Sequence, residues 1–111
     1  MILERNGQSM IIDGEPFSVG MTVLGTDQSD YCGLFGWIIE IRDGDDKETD
    51  NETVDITCEF FVPDDICMVK ELEERFSVLY GEPKKIDDIS LDYVIMAPEM
   101  LQIVEIWCMI Y

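Results

Sequence analysis

The segment Val54-Asp55-Ile56-Thr57-Cys58-Glu59-Phe60 alternates strictly between apolar and polar residues. Val54, Ile56, Cys58 and Phe60 fall on one face and Asp55, Thr57 and Glu59 on the other. This is the pattern of a half-buried antiparallel strand. The period then changes. Val69, Leu72, Phe76, Leu79 and Tyr80 recur at spacings of three and four, which makes one apolar helical stripe. Pro63-Asp64-Asp65 supplies a cap and an acidic first turn, and Gly81 followed by Pro83 supplies a stop, so a helix is expected over residues 65–80. Glu71 and Arg75 form an i,i+4 pair on its outer side. The strand period returns, weakly, in Leu91–Met96. Pro98 interrupts it, and Leu101–Tyr111 is apolar on both faces. That last run reads as a strand buried on both sides or, alternatively, as an apolar patch for a partner. Strand, helix, strand in this order predicts one α+β domain over residues 1–111, with a strongly bent antiparallel sheet and a single inserted helix.

Three further strand features precede the alternating segment. In Gly36–Arg42, Trp37, Ile39 and Ile41 share one face, read as the core face, while Ile38, Glu40 and Arg42 take the other. Ile2–Arg5 and Gln8–Ile12 flank Asn6-Gly7, a pair suited to a type I′ turn, so they read as a hairpin. Asp13-Gly14-Glu15-Pro16 is a second break, followed by a short strand around Met21–Leu24.

The chemistry open to the chain is narrow. It has no histidine, and its 25 Asp and Glu against 7 Lys and Arg give a net charge of −18. Without histidine there is no Ser-His or Cys-His relay and no imidazole metal ligand. With so few cations, a groove that follows a phosphate backbone is not expected. Close carboxylate pairs are inevitable among so many acids and carry no specificity for acid–base catalysis. The chain is read as non-enzymatic, without a cofactor. An apolar share of 47% still provides a core, so the charge belongs to the surface, where self-repulsion costs stability. Cys32, Cys58, Cys67 and Cys108 show no zinc-type spacing and read as free thiols. The N-terminus lacks a signal-peptide pattern, and no apolar run approaches the roughly 20 residues of a membrane helix. A soluble, cytoplasmic protein without membrane contact is expected.

Seven carboxylates lie between Asp43 and Asp55, the composition of a hard-cation loop. The EF-hand pattern fails, however: counted from Asp43, the sixth position is Glu48 rather than Gly and the twelfth is Val54 rather than Glu. Residues 43–53 read as a solvated, mobile loop that extends from the core, with no structural metal.

The aromatic residues Tyr31, Phe35, Trp37, Tyr93 and Trp107 are candidates for a protein-binding surface. Trp37 reads as core filling, whereas Tyr31 and Phe35 flank a Gly-rich turn and are expected to be exposed. Tyr31, Phe35 and Trp107 are the candidate partner-binding residues. The stretch Phe17-Ser-Val-Gly20-Met-Thr-Val23, then Tyr31-Cys-Gly33-Leu-Phe-Gly36-Trp-Ile38-Ile-Glu-Ile41, resembles the opening of an SH3-like or KOW-type small antiparallel barrel. KOW-type domains bind RNA through basic residues, but no Lys or Arg occurs here between Arg5 and Arg42. Over more of the chain, Tyr31–Gly36, Glu40–Thr49, Glu71–Phe76 and Val94–Leu101 resemble small accessory domains of the large polyvalent proteins of bacterial mobile elements. That resemblance implies no particular activity.

Two functions fit these readings. The first is a non-catalytic protein-interaction module whose partner segments are basic, steered by the acidic field, with self-association through the C-terminal strand as a further option. The second is a nucleic-acid mimic, whose acids would occupy the basic cleft of a DNA- or RNA-binding protein. One measurement follows from the acidic loop. Calorimetric titration with Ca²⁺ and Mg²⁺ should give at most millimolar affinity. Micromolar binding, lost on changing Asp45, Asp46 and Asp50 to Asn, would contradict the solvated-loop reading.

Overall fold

A computed structural model describes residues 1–104. Trp107 and Cys108 therefore lie outside the described residues, as does most of the C-terminal apolar run. In chain order the strands are β1 (Ile2–Leu3), β2 (Ser9–Ile12), β3 (Glu15–Ser18), β4 (Thr22–Gly25), β5 (Phe35–Asp43) and β6 (Val54–Phe60). Helix α1 (Ile66–Tyr80) follows, and then β7 (Val94–Met96) and β8 (Leu101–Ile103). The fold is α+β, with antiparallel pairing throughout and one α-helix inserted between strands, as the order of periods predicts.

β5 is the axis of the main sheet. One of its edges pairs with β6 along nearly its whole length. Its other edge is shared between β4, at the Phe35–Trp37 end, and β1, at the Ile41–Arg42 end. β7 adds outside β6 and β8 outside β4, giving the order β7-β6-β5-β4-β8. The two end strands do not pair with each other among the described residues, so the sheet is open rather than a closed barrel. Pro98 does interrupt the C-terminal strands, at a 3₁₀ turn over Pro98–Met100. Beyond it, β8 buries Leu101 but exposes Gln102, so its described part is not the doubly buried strand expected.

The faces of β5 differ from the simple alternation. Ile38 pairs with Cys58, but Glu40 pairs with Thr57, so Ile39 is one extra residue on this strand. Such a bulge leaves the inserted residue unpaired and moves every later side chain to the opposite face. Ile38 and Ile41, three apart, are therefore both fully buried. Trp37 and Ile39, expected in the core, are only partly covered. On β6 the predicted inward set of Val54, Ile56, Cys58 and Phe60 is buried. The core they form with Val23, Leu34, Leu72, Phe76 and Met96 lies on this side of the sheet. The opposite side carries Phe35, Trp37, Glu59 and Ile95.

The first hairpin is also displaced. β1 pairs with β5, not with β2. At Asn6-Gly7 the chain makes a turn closed by Gln8 N–H to the Arg5 carbonyl at 3.0 Å, with positive φ at Gly7 alone of the two central residues. That is the type II pattern, not type I′. The Gln8 side-chain Oε1 accepts from the backbone N–H groups of Glu4 and Arg5, at 3.0 and 2.9 Å, and so takes the donors a pairing strand would have used. The true hairpin joins β2 to β3 through Asp13-Gly14, with φ of 51° and 83° and Ile12 opposite Glu15. Both central residues have positive φ, as a type I′ turn requires.

The acidic connection from β5 to β6 is tied down rather than extended. Asp55, placed on the solvent side by alternation, is 1% exposed. Its carboxylate accepts from Glu48 N–H at 2.5 Å, Thr49 N–H at 3.0 Å and the Asn51 side-chain amide at 3.1 Å, and also from the Thr49 hydroxyl. Burial by itself would raise the Asp55 pKa. The hydrogen bonds from Thr49, Glu48 and Asn51 outweigh it and hold the carboxyl below the usual carboxylate range. Lys47 donates to the Asn51 carbonyl, and Arg42 pairs with Glu40 and, at 3.3 Å, with Glu48.

A folded-state pKa below the unfolded one means that Asp55 stabilises the fold above the ordinary carboxylate range, about pH 4. This contribution is lost as pH falls through the residue's own lower value. Replacing Asp55 with Ala removes the one acceptor shared by several part-buried donors and should cost about 2 kcal/mol in denaturant unfolding. Asp55→Asn should cost less and should flatten the acid limb of the stability profile. An Asp55→Ala variant as stable as the parent would contradict the assignment.

Candidate functional site

An apolar hollow lies where β5 begins and β6 ends. Phe61 N–H donates to the Phe35 carbonyl at 2.8 Å, which continues the ladder one residue beyond β6 and sets these two side chains next to each other. A groove of about 290 Å³ is lined there by Leu34, Phe35, Phe61, Val62, Pro63 and Met68. Phe35 is 50% exposed, Phe61 52% and Val62 58%. Asp64 and Asp65 complete the wall. Asp65 also caps α1, its carboxylate accepting from Cys67 N–H at 2.9 Å. The groove is thus apolar at its centre and acidic at its helix end.

The sequence-predicted residues separate. Phe35 is exposed, as expected. Tyr31 is not. Its ring stacks parallel on Phe60 at 5.1 Å, tilts against Phe76 at 5.2 Å, and its hydroxyl donates to the Ser90 carbonyl at 2.8 Å. This corrects the expectation of a displayed Tyr31: the ring joins the Gly-rich turn to α1 and to the segment before β7. Arg75 secures the same turn, donating to the carbonyls of Asp30 at 2.8 Å and Cys32 at 3.3 Å in addition to its pair with Glu71. Gly25 completes the arrangement, because a Cβ there would stand 2.3 Å from the Tyr31 carbonyl oxygen. Trp107 lies outside the described residues.

Phe61, Val62 and Met68 were not singled out from the sequence. Phe61 carried a usable signal, since it breaks the alternation of β6 with an apolar residue on the polar face. The helix stripe is also shorter than its spacing implies. Leu72 and Phe76 are buried, but Leu79 and Tyr80 are 50% and 61% exposed.

No group of three or more Cys, Asp or Glu residues that could hold a metal ion occurs among the described residues. No described helix is long and apolar enough to cross a membrane. Cys32, Cys58 and Cys67 are free thiols. Burial pushes Cys58 up to about 12, which removes it from nucleophilic chemistry near neutral pH.

Burial, with smaller contributions from Tyr80 and Asp30, pushes the Tyr31 hydroxyl up to about 12. The fold therefore holds this proton where the unfolded chain, with a value of about 10, releases it. Stability should fall as pH rises between these two values. Spectrophotometric titration of the parent against Tyr31→Phe should show one phenolate signal near 12 that the variant lacks. A difference signal near the ordinary value would contradict the packing.

The chain matches no known protein family, no curated protein and no solved structure.

Proposed function

We propose that this chain is a non-catalytic protein-interaction module that holds a basic segment of a partner protein in the groove at Phe35. It would be an accessory domain of the kind its resemblance to mobile-element domains implies. The observation that carries this reading is the set of three adjacent apolar side chains, Phe35, Phe61 and Val62, each half exposed around one groove. Exposed aromatic clusters of this kind supply the anchors of protein interfaces. The net charge of −18 and the carboxylates of Asp64 and Asp65 favour a partner that carries Lys or Arg beside an apolar anchor. The small-barrel likeness of residues 17–41 belongs to the same reading. In this chain that stretch contributes Phe35 and offers no cation to a phosphate backbone.

NMR titration with short peptides that place Leu or Phe between Lys or Arg residues tests the proposal. Shifts should cluster at Phe35, Phe61 and Met68, and part of the binding should persist at high salt because its anchor is apolar. Phe35→Ser should weaken it about tenfold, the loss of one anchor, without a large change in thermal midpoint. Shifts spread over the acidic surface, vanishing at moderate salt, would contradict the groove and favour the nucleic-acid-mimic reading instead.

A further inference from the structure

The bulge that buries Ile38 and Ile41 leaves a second arrangement on the outer side of the sheet. Trp37 on β5 lies directly opposite Glu59 on β6. Cys58 pairs with Val94, so Tyr93, one residue earlier, falls in the same cross-strand row as Glu59. Trp37, Glu59 and Tyr93 thus form one row across the sheet. Trp37 Nε1–H donates to Glu59 Oε2 at 3.0 Å, which fixes both side chains. Tyr93 is 77% exposed. Together with Ile39 and Asp92 these residues line an open hollow of about 510 Å³.

Two aromatic rings and two carboxylates meet there, and no Lys or Arg lines the hollow. Neither Glu59 nor Asp92 takes part in an ion pair among the described residues. We infer that this hollow is a binding site for the guanidinium group of an arginine side chain on a partner protein. A guanidinium is planar and weakly hydrated. It stacks on Trp or Tyr while its N–H fork reaches a carboxylate, and the row Trp37–Glu59–Tyr93 offers both surfaces side by side. A carboxylate or phosphate ligand would meet Glu59 and Asp92 unfavourably, and a purely apolar group would leave their negative charges without a cation. The site is separate from the groove at Phe35 and does not require that groove to be occupied.

The test uses the blocked peptide acetyl-Gly-Arg-Gly-amide and its citrulline counterpart, which keeps the shape and removes the charge. Each is titrated into the full chain at constant ionic strength, and the Trp37 indole N–H is followed by NMR, assigned through Trp37→Phe. The arginine peptide should give a saturable, millimolar shift of the Trp37 indole and the Tyr93 ring, and the citrulline peptide none. Glu59→Gln keeps an acceptor for Trp37 and should weaken binding about fivefold, the scale of one exposed charge pair. Tyr93→Leu, at an exposed position, should also weaken it. Phe35→Ser should leave it unchanged, which separates failure of this site from failure of the groove. Equal shifts with citrulline, shifts no larger than those from sodium chloride, or binding indifferent to both Glu59→Gln and Tyr93→Leu would overturn the assignment.

Discussion

A single extra residue, Ile39, determines how this sheet is used. Without it Ile38 and Ile41 would point to opposite sides, and one of them would leave the core. With it the core side receives Ile38, Ile41, Ile56 and Cys58, all fully buried, and Phe35 and Trp37 stand together on the outer side. The energetic preference is clear from size alone. Burying an Ile side chain is worth about 1.5–3 kcal/mol, more than the ladder contacts that one bulge disrupts. The Trp37–Glu59–Tyr93 row lies on the side of the sheet turned away from the core, and the candidate groove opens at the end of the sheet, between Phe35, Phe61 and the start of α1.

Charge poses the second constraint. Seven carboxylates between Asp43 and Asp55 repel one another, yet the segment folds back on itself. Asp55 takes its donors from Glu48, Thr49 and Asn51 within the same segment, which ties the loop back to the start of β6. The remaining acids stay at the surface, where they give the molecule a field that attracts cations. The two hollows therefore share one electrostatic preference while differing in shape: the groove at Phe35 suits an apolar side chain, and the hollow at Trp37 suits a flat cation.

Much of the fold is legible in the sequence because it follows from local patterns. The helix is bounded by Asp65 and Gly81, whose φ of 68° is the left-handed cap expected of it. The inward face of β6 follows from its alternation. What the sequence hides depends on non-local partners. The bulge can be recognised only once β6 supplies a register. The Gln8 side chain decides the fate of the Asn6-Gly7 turn by reaching back to Glu4 and Arg5. Asp55 looks solvent-facing until its own loop returns to cover it. The exposure of Phe35 was legible from its turn, Tyr31 was misplaced because its partners Phe60, Phe76 and Ser90 are distant in sequence, and Phe61 was overlooked although it breaks its strand's alternation.

The most direct test of this account is the register of β5 against β6, read from cross-strand nuclear Overhauser contacts in solution. The bulge places Ile41 opposite Ile56 and Glu40 opposite Thr57, with Ile39 unpaired. Contacts from Ile41 to Ile56 and from Glu40 to Thr57, together with those from Trp37 to Glu59, are the predicted result. An unbroken ladder that sets Ile39 opposite Thr57 and Ile41 opposite Asp55 would contradict it, because Ile41 would then turn away from the core that Ile38 enters.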